Sequence, residues 1–166
     1  MAALIVFFSR SGENYVNGAL RQLSQGNTKA AAKMIQEDTG ADLFEIQPVQ
    51  PYSASYNECI AQAQADQKRN ARPELKEYPD SLEPYDTIYV GYPNYWGTMP
   101  MVVFTFLEHF DFTGKTIKPF CTHEGSGMGS SVEDIRKLCP GANVEQGLAL
   151  HGGSVERAGK EIGSWL

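Results

Sequence analysis

The chain alternates short apolar runs with segments whose apolar residues recur at helical spacing. Residues 2–8 form a continuous apolar run, which is typical of a strand buried on both faces of a parallel sheet. Residues 86–93, 115–123 and 142–150 are predicted to be three further strands. Residues 41–48 mix apolar and polar side chains, which predicts a strand at the edge of the sheet.

Helical segments lie between these strands. They are predicted at residues 28–39, 56–70, 100–109, 130–138 and 154–165. Gly40 ends the first of them, and Pro100 suits the first turn of the third. The pattern Ser130-x-x-Glu133 predicts a capping box at the start of the fourth.

This alternation predicts an α/β fold, a three-layer, doubly wound sandwich around a five-stranded parallel sheet. Because the second strand has the composition of an edge strand, the strand order 2-1-3-4-5 fits best. The length of 166 residues predicts a single domain over residues 1–166. In such sheets a ligand binds beyond the carboxyl ends of the strands, between strands one and three. The loops after strands one, three, four and five are therefore the candidates for a site.

The loop after the first strand carries Ser9, Ser11, Gly12 and Asn14. Hydroxyl groups and successive backbone N–H groups in such a turn can hold a phosphate monoester without a lysine. The same residue types are also common in an ordinary turn at the end of a strand. This loop alone therefore leaves both interpretations open.

The next two loops add aromatic and glycine-rich character. Tyr95 and Trp96 lie among proline, glycine and asparagine, which indicates stacking on a flat heterocycle or packing against a helix or a partner protein. The glycines of residues 122–130 let a backbone approach a ligand closely. The pattern Gly125-x-Gly127-x-x-Ser130 also lies near a dinucleotide fingerprint, but departs from it at the third glycine. Together the three loops describe a mononucleotide with a flat ring, and FMN fits this description.

Composition narrows the classes of partner. The formal net charge of -6 and the lack of a Lys/Arg run disfavour binding to nucleic acid or to a membrane. Cys59, Cys121 and Cys139 are widely spaced and form no CxxC motif, which disfavours disulfides and a metal site. We expect a soluble, cytoplasmic protein with no metal.

At this point the residues resemble those of the flavodoxin family. The run Ser9-Arg10-Ser11-Gly12 resembles the first half of the family's phosphate motif, T/S-x-T/S-G-x-T. The segment GYPNYWGTMP is similar to the flavin-stacking loop, and THEGSGMGSS is similar to the third flavin loop. The resemblance covers nearly the whole chain and implies a flavodoxin-like fold that binds FMN.

The sequence departs from the family pattern at two places. The second half of the phosphate motif is displaced to Asn27-Thr28, so residues 13–26 are an insertion. This insertion is predicted to be a short helix or hairpin in which Tyr15 or Leu20 covers the cofactor or contacts a partner. Tyr95 stands where many members have tryptophan, which keeps a π face for stacking.

The resemblance implies which residues hold the cofactor. The predicted cofactor-binding residues are Ser9, Arg10, Ser11, Asn14, Asn27, Thr28, Pro93, Asn94, Tyr95, Trp96, Gly97, Thr122, His123, Glu124, Gly125, Ser126 and Gly127. A further hypothesis is that the peptide at Trp96-Gly97 faces the flavin and reorients on reduction. We predict no catalytic residue, because the flavin carries the redox chemistry.

Three classes of function are compatible with these residues. An electron carrier that docks to redox partner proteins is favoured by the negative charge. An FMN reductase that uses NAD(P)H to reduce quinones, flavins or xenobiotics is the alternative. A flavin-free binding or signalling domain leaves the aromatic and glycine-rich loops unexplained. Both a monomer and a homodimer are compatible with the sequence.

Overall fold

The computed structural model describes residues 2–166 and contains eight strands and five α-helices. The strands are β1 (Ala2–Phe7), β2 (Gly12–Val16), β3 (Ala19–Leu23), β4 (Asp42–Glu45), β5 (Tyr85–Pro93), β6 (Thr116–His123), β7 (Asn143–Val144) and β8 (Leu148–His151). The helices are α1 (Asn27–Thr39), α2 (Tyr56–Lys68), α3 (Met101–His109), α4 (Ser131–Leu138) and α5 (Gly159–Trp165). A 3₁₀ helix, Gly152–Arg157, precedes α5, so the last helix begins later than predicted.

The central sheet is parallel and has the order β4-β1-β5-β6-β7, which confirms the predicted order 2-1-3-4-5 with its edge strand. The predicted fifth strand is split, because β7 and β8 each pair with a different part of β6. The break lies beside Pro119, which has no N–H group to donate to a neighbouring strand. Gly147 lies between β7 and β8 with a φ of 86°, a left-handed conformation that favours glycine.

Alternate residues of β1 serve two different cores. Leu4 and Val6 join a cluster that contains residues of α2, α3 and α4. Ile5 and Phe7 join a second cluster that contains residues of α1 and α5. The sheet is therefore covered by helices on both faces, as the doubly wound prediction requires.

The inserted segment forms an antiparallel hairpin of β2 and β3. Its turn is Asn17-Gly18, with φ values of 52° and 83°, the pattern of a two-residue I′ turn. Asn-Gly is the residue pair that this turn favours, so the hairpin alternative is the one that the structure bears out.

Two further observations concern helices. The predicted capping box of α4 is wrong, because the Ser130 side chain makes no cap bond and instead lies 3.3 Å from the carbonyl oxygen of Gly97. Among residues 2–166, no helix combines the length and the apolar character needed to cross a bilayer.

Candidate functional site

A cavity of about 270 Å³ lies beyond the carboxyl ends of β1, β5 and β6, at the switch point of the sheet. Its lining combines the loop after β1, the hairpin of β2 and β3, and the starts of α1 and α2. The loops after β5 (the second loop), after β6 (the third loop) and after β8 complete it. The lining residues are Arg10, Asn14, Tyr15, Asn27, Thr28, Tyr56, Pro93, Asn94, Tyr95, Thr122, His123, Glu124, Ser126 and Gly152.

The two halves of the phosphate motif meet beside this cavity. The backbone N–H of Lys29 donates to Ser9 Oγ over 3.0 Å, which joins the first half to the start of α1. Gly26 lies so close that a Cβ there would overlap Ser9 Oγ and press on the carbonyl group of Arg10. The structure thus brings Ser9 and the Asn27-Thr28 pair together, although the hairpin separates them in sequence.

The start of α1 supplies hydrogen-bond donors. Gly26 is the N-cap and has no side chain with which to cap the helix. Within the described residues, no acceptor is found for the N–H groups of Asn27 and Thr28. Unpaired N–H groups and the helix dipole favour an anion at this end. The Thr28 hydroxyl is buried and lies 2.7 Å from the Thr122 hydroxyl, which fixes α1 against the end of β6.

Arg10 and Asn14 line the cavity, but their side chains are engaged elsewhere. The Arg10 guanidinium donates to the carbonyl oxygens of Glu13, Ser53 and Ala54 at 2.9, 2.8 and 3.0 Å. The Asn14 amide donates to the Arg10 carbonyl over 2.8 Å. These bonds fasten the base of the hairpin to the loop before α2, so the guanidinium is a structural clamp in this conformation.

The two aromatic residues of the second loop differ in position. Tyr95 lines the cavity but is only 9% exposed, and its ring packs edge-on against Phe8 and Tyr52. Burial raises the pKa of Tyr95 well above its ordinary value. Trp96 lies outside the cavity, where its indole N–H donates to the carbonyl oxygen of Ile60 on α2 over 2.7 Å. Tyr95 is therefore largely covered by its neighbours, and the Trp96 indole is directed to α2.

Both ends of the Trp96–Gly97 peptide are tied by side chains. Gln67 Nε2 donates to the Trp96 carbonyl over 3.1 Å, and the Gly97 N–H donates to Asn94 Oδ1 over 3.0 Å. Reorientation of this peptide would break both bonds. The hypothesis of a redox-linked peptide flip therefore stays a prediction, and these two bonds stand against it.

The third loop is held close to the second. Asn94 Nδ2 donates to the carbonyl oxygen of Gly127 over 2.7 Å, which links the two loops across the cavity mouth. His123 Nδ1 accepts the N–H of Gly125 over 2.9 Å. Burial, and then the neighbouring His151, lower the pKa of His123, while Glu124 raises it. The imidazole is therefore kept neutral and serves as an acceptor that shapes the loop.

The chain shows similarity to known proteins over almost its whole length. The family model described as flavodoxin matches residues 4–166. The chain belongs to the flavodoxin family. No match was found among curated proteins.

Solved structures agree with this family. A candidate flavoprotein from Bacteroides eggerthii is 28% identical, with a TM-score of 0.80 over 99% of this chain and 95% of that one. Another from Bacteroides uniformis is 29% identical, with a TM-score of 0.77 over 99% and 96%. A Lactobacillus acidophilus flavoprotein in complex with FMN is 22% identical, with a TM-score of 0.69 over 94% and 97%, and supports the fold.

In this flavodoxin-family chain, several predicted residues fall outside the central cavity. Ser9 and Ser11 line neighbouring cavities, and Trp96, Gly97, Gly125 and Gly127 do not line the central one. Gly97 and Gly127 still act on it through Asn94, whose amide joins them.

Sequence reasoning missed an aromatic pair on the cavity wall. Tyr15 of the hairpin stacks on Tyr56 at the start of α2, with ring centroids 6.2 Å apart and an interplanar angle of 28°. Tyr15 was expected near the cofactor, but Tyr56 was not. The residues around Tyr56 do not predict that it lines the cavity. Its position depends on the Glu13 carboxylate, which is 43 residues away and accepts the Tyr56 N–H over 2.7 Å.

Proposed function

We propose that this protein binds FMN in the switch-point cavity and acts in electron transfer as a redox carrier. The family and the FMN-bound structural relatives support FMN as the cofactor. The observation that carries the proposal is the junction of Ser9 with the start of α1, because it rebuilds a phosphate loop from two distant segments.

The residues present fit such a nucleotide. A phosphate fits the N–H groups of Asn27 and Thr28, where the helix dipole compensates part of its charge. The Tyr15–Tyr56 pair lines the cavity and offers an aromatic surface that suits a flat ring. FMN supplies the redox chemistry when bound, and the chain holds it, orients it and shields it from water.

The carrier function is supported by charge and by the size of the cavity. A net charge of -6 favours electrostatic steering toward a basic partner protein. The cavity of about 270 Å³ lies just below the range of roughly 300–1,000 Å³ for small-molecule sites, so by itself it suits one ligand, the cofactor.

One observation favours the alternative, an NAD(P)H-dependent FMN reductase. A second cavity of about 460 Å³ adjoins the first and shares Arg10 with it. Its lining includes Tyr52, whose hydroxyl is buried and finds no partner among the described residues. This cavity could admit the second substrate that a reductase requires.

The test begins with FMN binding. We expect the purified protein, after incubation with FMN and gel filtration, to retain a flavin absorbance spectrum. Anaerobic addition of NADH or NADPH should leave the colour unchanged, while a reduced redox partner should bleach it. A protein that remains colourless refutes the flavin proposal. Rapid bleaching by NAD(P)H alone refutes the carrier function in favour of the reductase function.

A glycine pair tests the location of the site. Gly26→Ala drives a methyl group into Ser9 and the Arg10 carbonyl, so we expect it to weaken FMN binding by about tenfold or more, the effect of losing one charge-assisted hydrogen bond. Gly163→Ala on α5 is the control, since a Cβ there meets nothing within 4 Å. Equal FMN affinity in both variants would show that the phosphate does not bind at this junction.

A further inference from the structure

Glu124 joins the third loop to the inserted hairpin. Its Oε1 accepts the backbone N–H of Asn17, at the hairpin turn, over 2.7 Å. The two residues are 107 positions apart in sequence, so the bond closes a long-range contact across the cavity mouth. The Asn17 side chain also packs against Gly153, where a Cβ would overlap the amide group.

The hairpin depends on such contacts. An isolated two-stranded hairpin is at best marginally stable in water. Residues 19–22 of β3 are exposed, and of the hairpin strands only Val16 is buried. The base is clamped by Arg10 and Glu13, whereas the turn is hydrogen-bonded to the rest of the protein only through Glu124, within the described residues. The Glu124–Asn17 bond is therefore the contact whose loss would release the turn.

The second oxygen of Glu124 has a different environment. Oε2 is buried and has no hydrogen-bond partner among the described residues. It faces Gly152 together with the amide of Asn27, on the lining of the cavity. A buried carboxylate oxygen without a donor is unfavourable, so this position calls for a donor from a ligand.

The chemistry of the ligand limits which donor this is. A phosphate group offers acceptors and negative charge, and it would be repelled by the carboxylate. The polyol chain of a flavin nucleotide carries hydroxyl groups, which are good donors to a carboxylate. The polyol is attached directly to the phosphate, and Glu124 lines the same cavity as Asn27 and Thr28 at the start of α1.

We infer that Glu124 couples the hairpin to the cofactor: Oε1 latches the hairpin turn over the cavity, and Oε2 accepts a hydrogen bond from a polyol hydroxyl of the bound flavin. This inference rests on the proposed function for its second half. The first half concerns the protein alone and can be tested without cofactor. Release of the latch would open the hairpin wall that carries Asn14 and Tyr15.

The experiment compares Glu124→Ala and Glu124→Gln with Glu133→Ala, a control on the exposed face of α4. In cofactor-free protein, NMR hydrogen exchange should show faster exchange of the Asn17 amide in Glu124→Ala only, because the Gln carbonyl still accepts this N–H. Flavin fluorescence should show FMN and riboflavin dissociating about tenfold faster or more from Glu124→Ala and from Glu124→Gln, in which an NH2 group replaces the acceptor Oε2, as expected for one hydrogen bond to a charged group. Lumiflavin, which lacks the polyol, should bind Glu124→Gln and Glu133→Ala equally, because the hairpin turn stays hydrogen-bonded in both variants.

Several outcomes would overturn the inference. Unchanged Asn17 exchange in Glu124→Ala disproves the latch. If Glu124→Gln binds lumiflavin as weakly as it binds FMN, relative to Glu133→Ala, the lost hydrogen bond is to the flavin ring and not to the polyol. Tighter FMN binding by Glu124→Ala with riboflavin unchanged would mean that the carboxylate only repels phosphate. If the unmodified protein takes up no FMN, the proposed function and the polyol contact both fail, and Asn17 exchange alone decides the latch.

Discussion

Two turns beside the candidate site have nearly the same backbone and very different supports. Asn17-Gly18 closes the hairpin with φ values of 52° and 83°, and Trp96-Gly97 follows β5 with φ values of 57° and 87°. Tyr95 and Thr98 flank the second turn and exchange backbone hydrogen bonds of 2.8 and 3.4 Å. Both turns therefore require two consecutive residues with positive φ.

The residues at the first position account for the difference. Asparagine tolerates the left-handed conformation, whereas a bulky tryptophan there is strained and persists only if its surroundings hold it. The Trp96–Gly97 turn is held by Gln67, Asn94 and Ile60, while the Asn17-Gly18 turn is held by Glu124. The strained turn is therefore fixed by several hydrogen bonds, whereas a single side-chain hydrogen bond, from Glu124, holds the relaxed turn.

The largest expected effect on stability comes from substituting a glycine at each turn, Gly129 beside the Trp96–Gly97 turn and Gly18 within the Asn17-Gly18 turn. Gly129→Ala places a Cβ on the Gly97 carbonyl group at a φ of 56°, so we expect it to lower the free energy of unfolding by about 3 kcal/mol. Gly18→Ala is also strained, at a φ of 83°, but meets nothing within 4 Å and should cost only about 1 kcal/mol. Urea unfolding measures both. Equal losses would show that Gly129 does not clamp the strained turn.

Asn94 is the next test, because it bonds both the strained turn and Gly127. Asn94→Ala removes the acceptor of the Gly97 N–H and the donor to the Gly127 carbonyl, and should cost about 2 kcal/mol. Asn94→Asp keeps the acceptor and should recover part of this loss. The Gly97 amide should exchange faster in the alanine variant than in the aspartate variant. Unchanged Gly97 exchange in both would place the constraint on this peptide elsewhere.

The sequence predicted the parts of the molecule that depend on local patterns. The burial of β1 on both faces and the polar edge at β4 follow from composition along single strands. The split of the fifth strand follows from Pro119 on its neighbour, a constraint that no reading of residues 142–150 alone contains.

Within the site, long-range hydrogen bonds decided what sequence could not. Arg10 belongs to the phosphate motif, yet its guanidinium is bound by the carbonyl groups of Ser53 and Ala54, which lie 43 and 44 residues away. Trp96 belongs to the aromatic loop, yet its indole is directed to α2 by a bond to Ile60. A motif specifies residue types, whereas the direction of each side chain depends on partners remote in sequence.

A smaller effect is expected from the indole itself. Trp96→Phe removes the indole N–H bond to Ile60 and should lower the free energy of unfolding by about 1 kcal/mol. Because Trp96 lies outside the cavity and is 47% exposed, FMN affinity should stay unchanged. Fluorescence titration with FMN provides the check. A large loss of FMN affinity in Trp96→Phe, with normal stability, would show that Trp96 contacts the cofactor after all.

The smallest expected effect concerns pH and the loop that carries Glu124. Burial and His151 hold the pKa of His123 below its ordinary value of 6.5, whereas Glu124 opposes this shift. The unfolded chain therefore binds a proton first as the pH falls below 6.5, so the contribution of His123 to stability decreases until the pH reaches the lower folded pKa and is constant below it.

Protonation of His123 Nδ1 would also remove the acceptor of the Gly125 N–H, which shapes the loop beside Glu124. The Asn17 amide should then exchange faster relative to its intrinsic rate as the pH falls through the lowered pKa of the folded His123, while the Gly97 amide, held by an asparagine, should not respond. His123→Asn keeps an acceptor without a titrating group, so it should abolish the pH response of Asn17. A response that survives in His123→Asn would assign the pH sensitivity of the latch to another group.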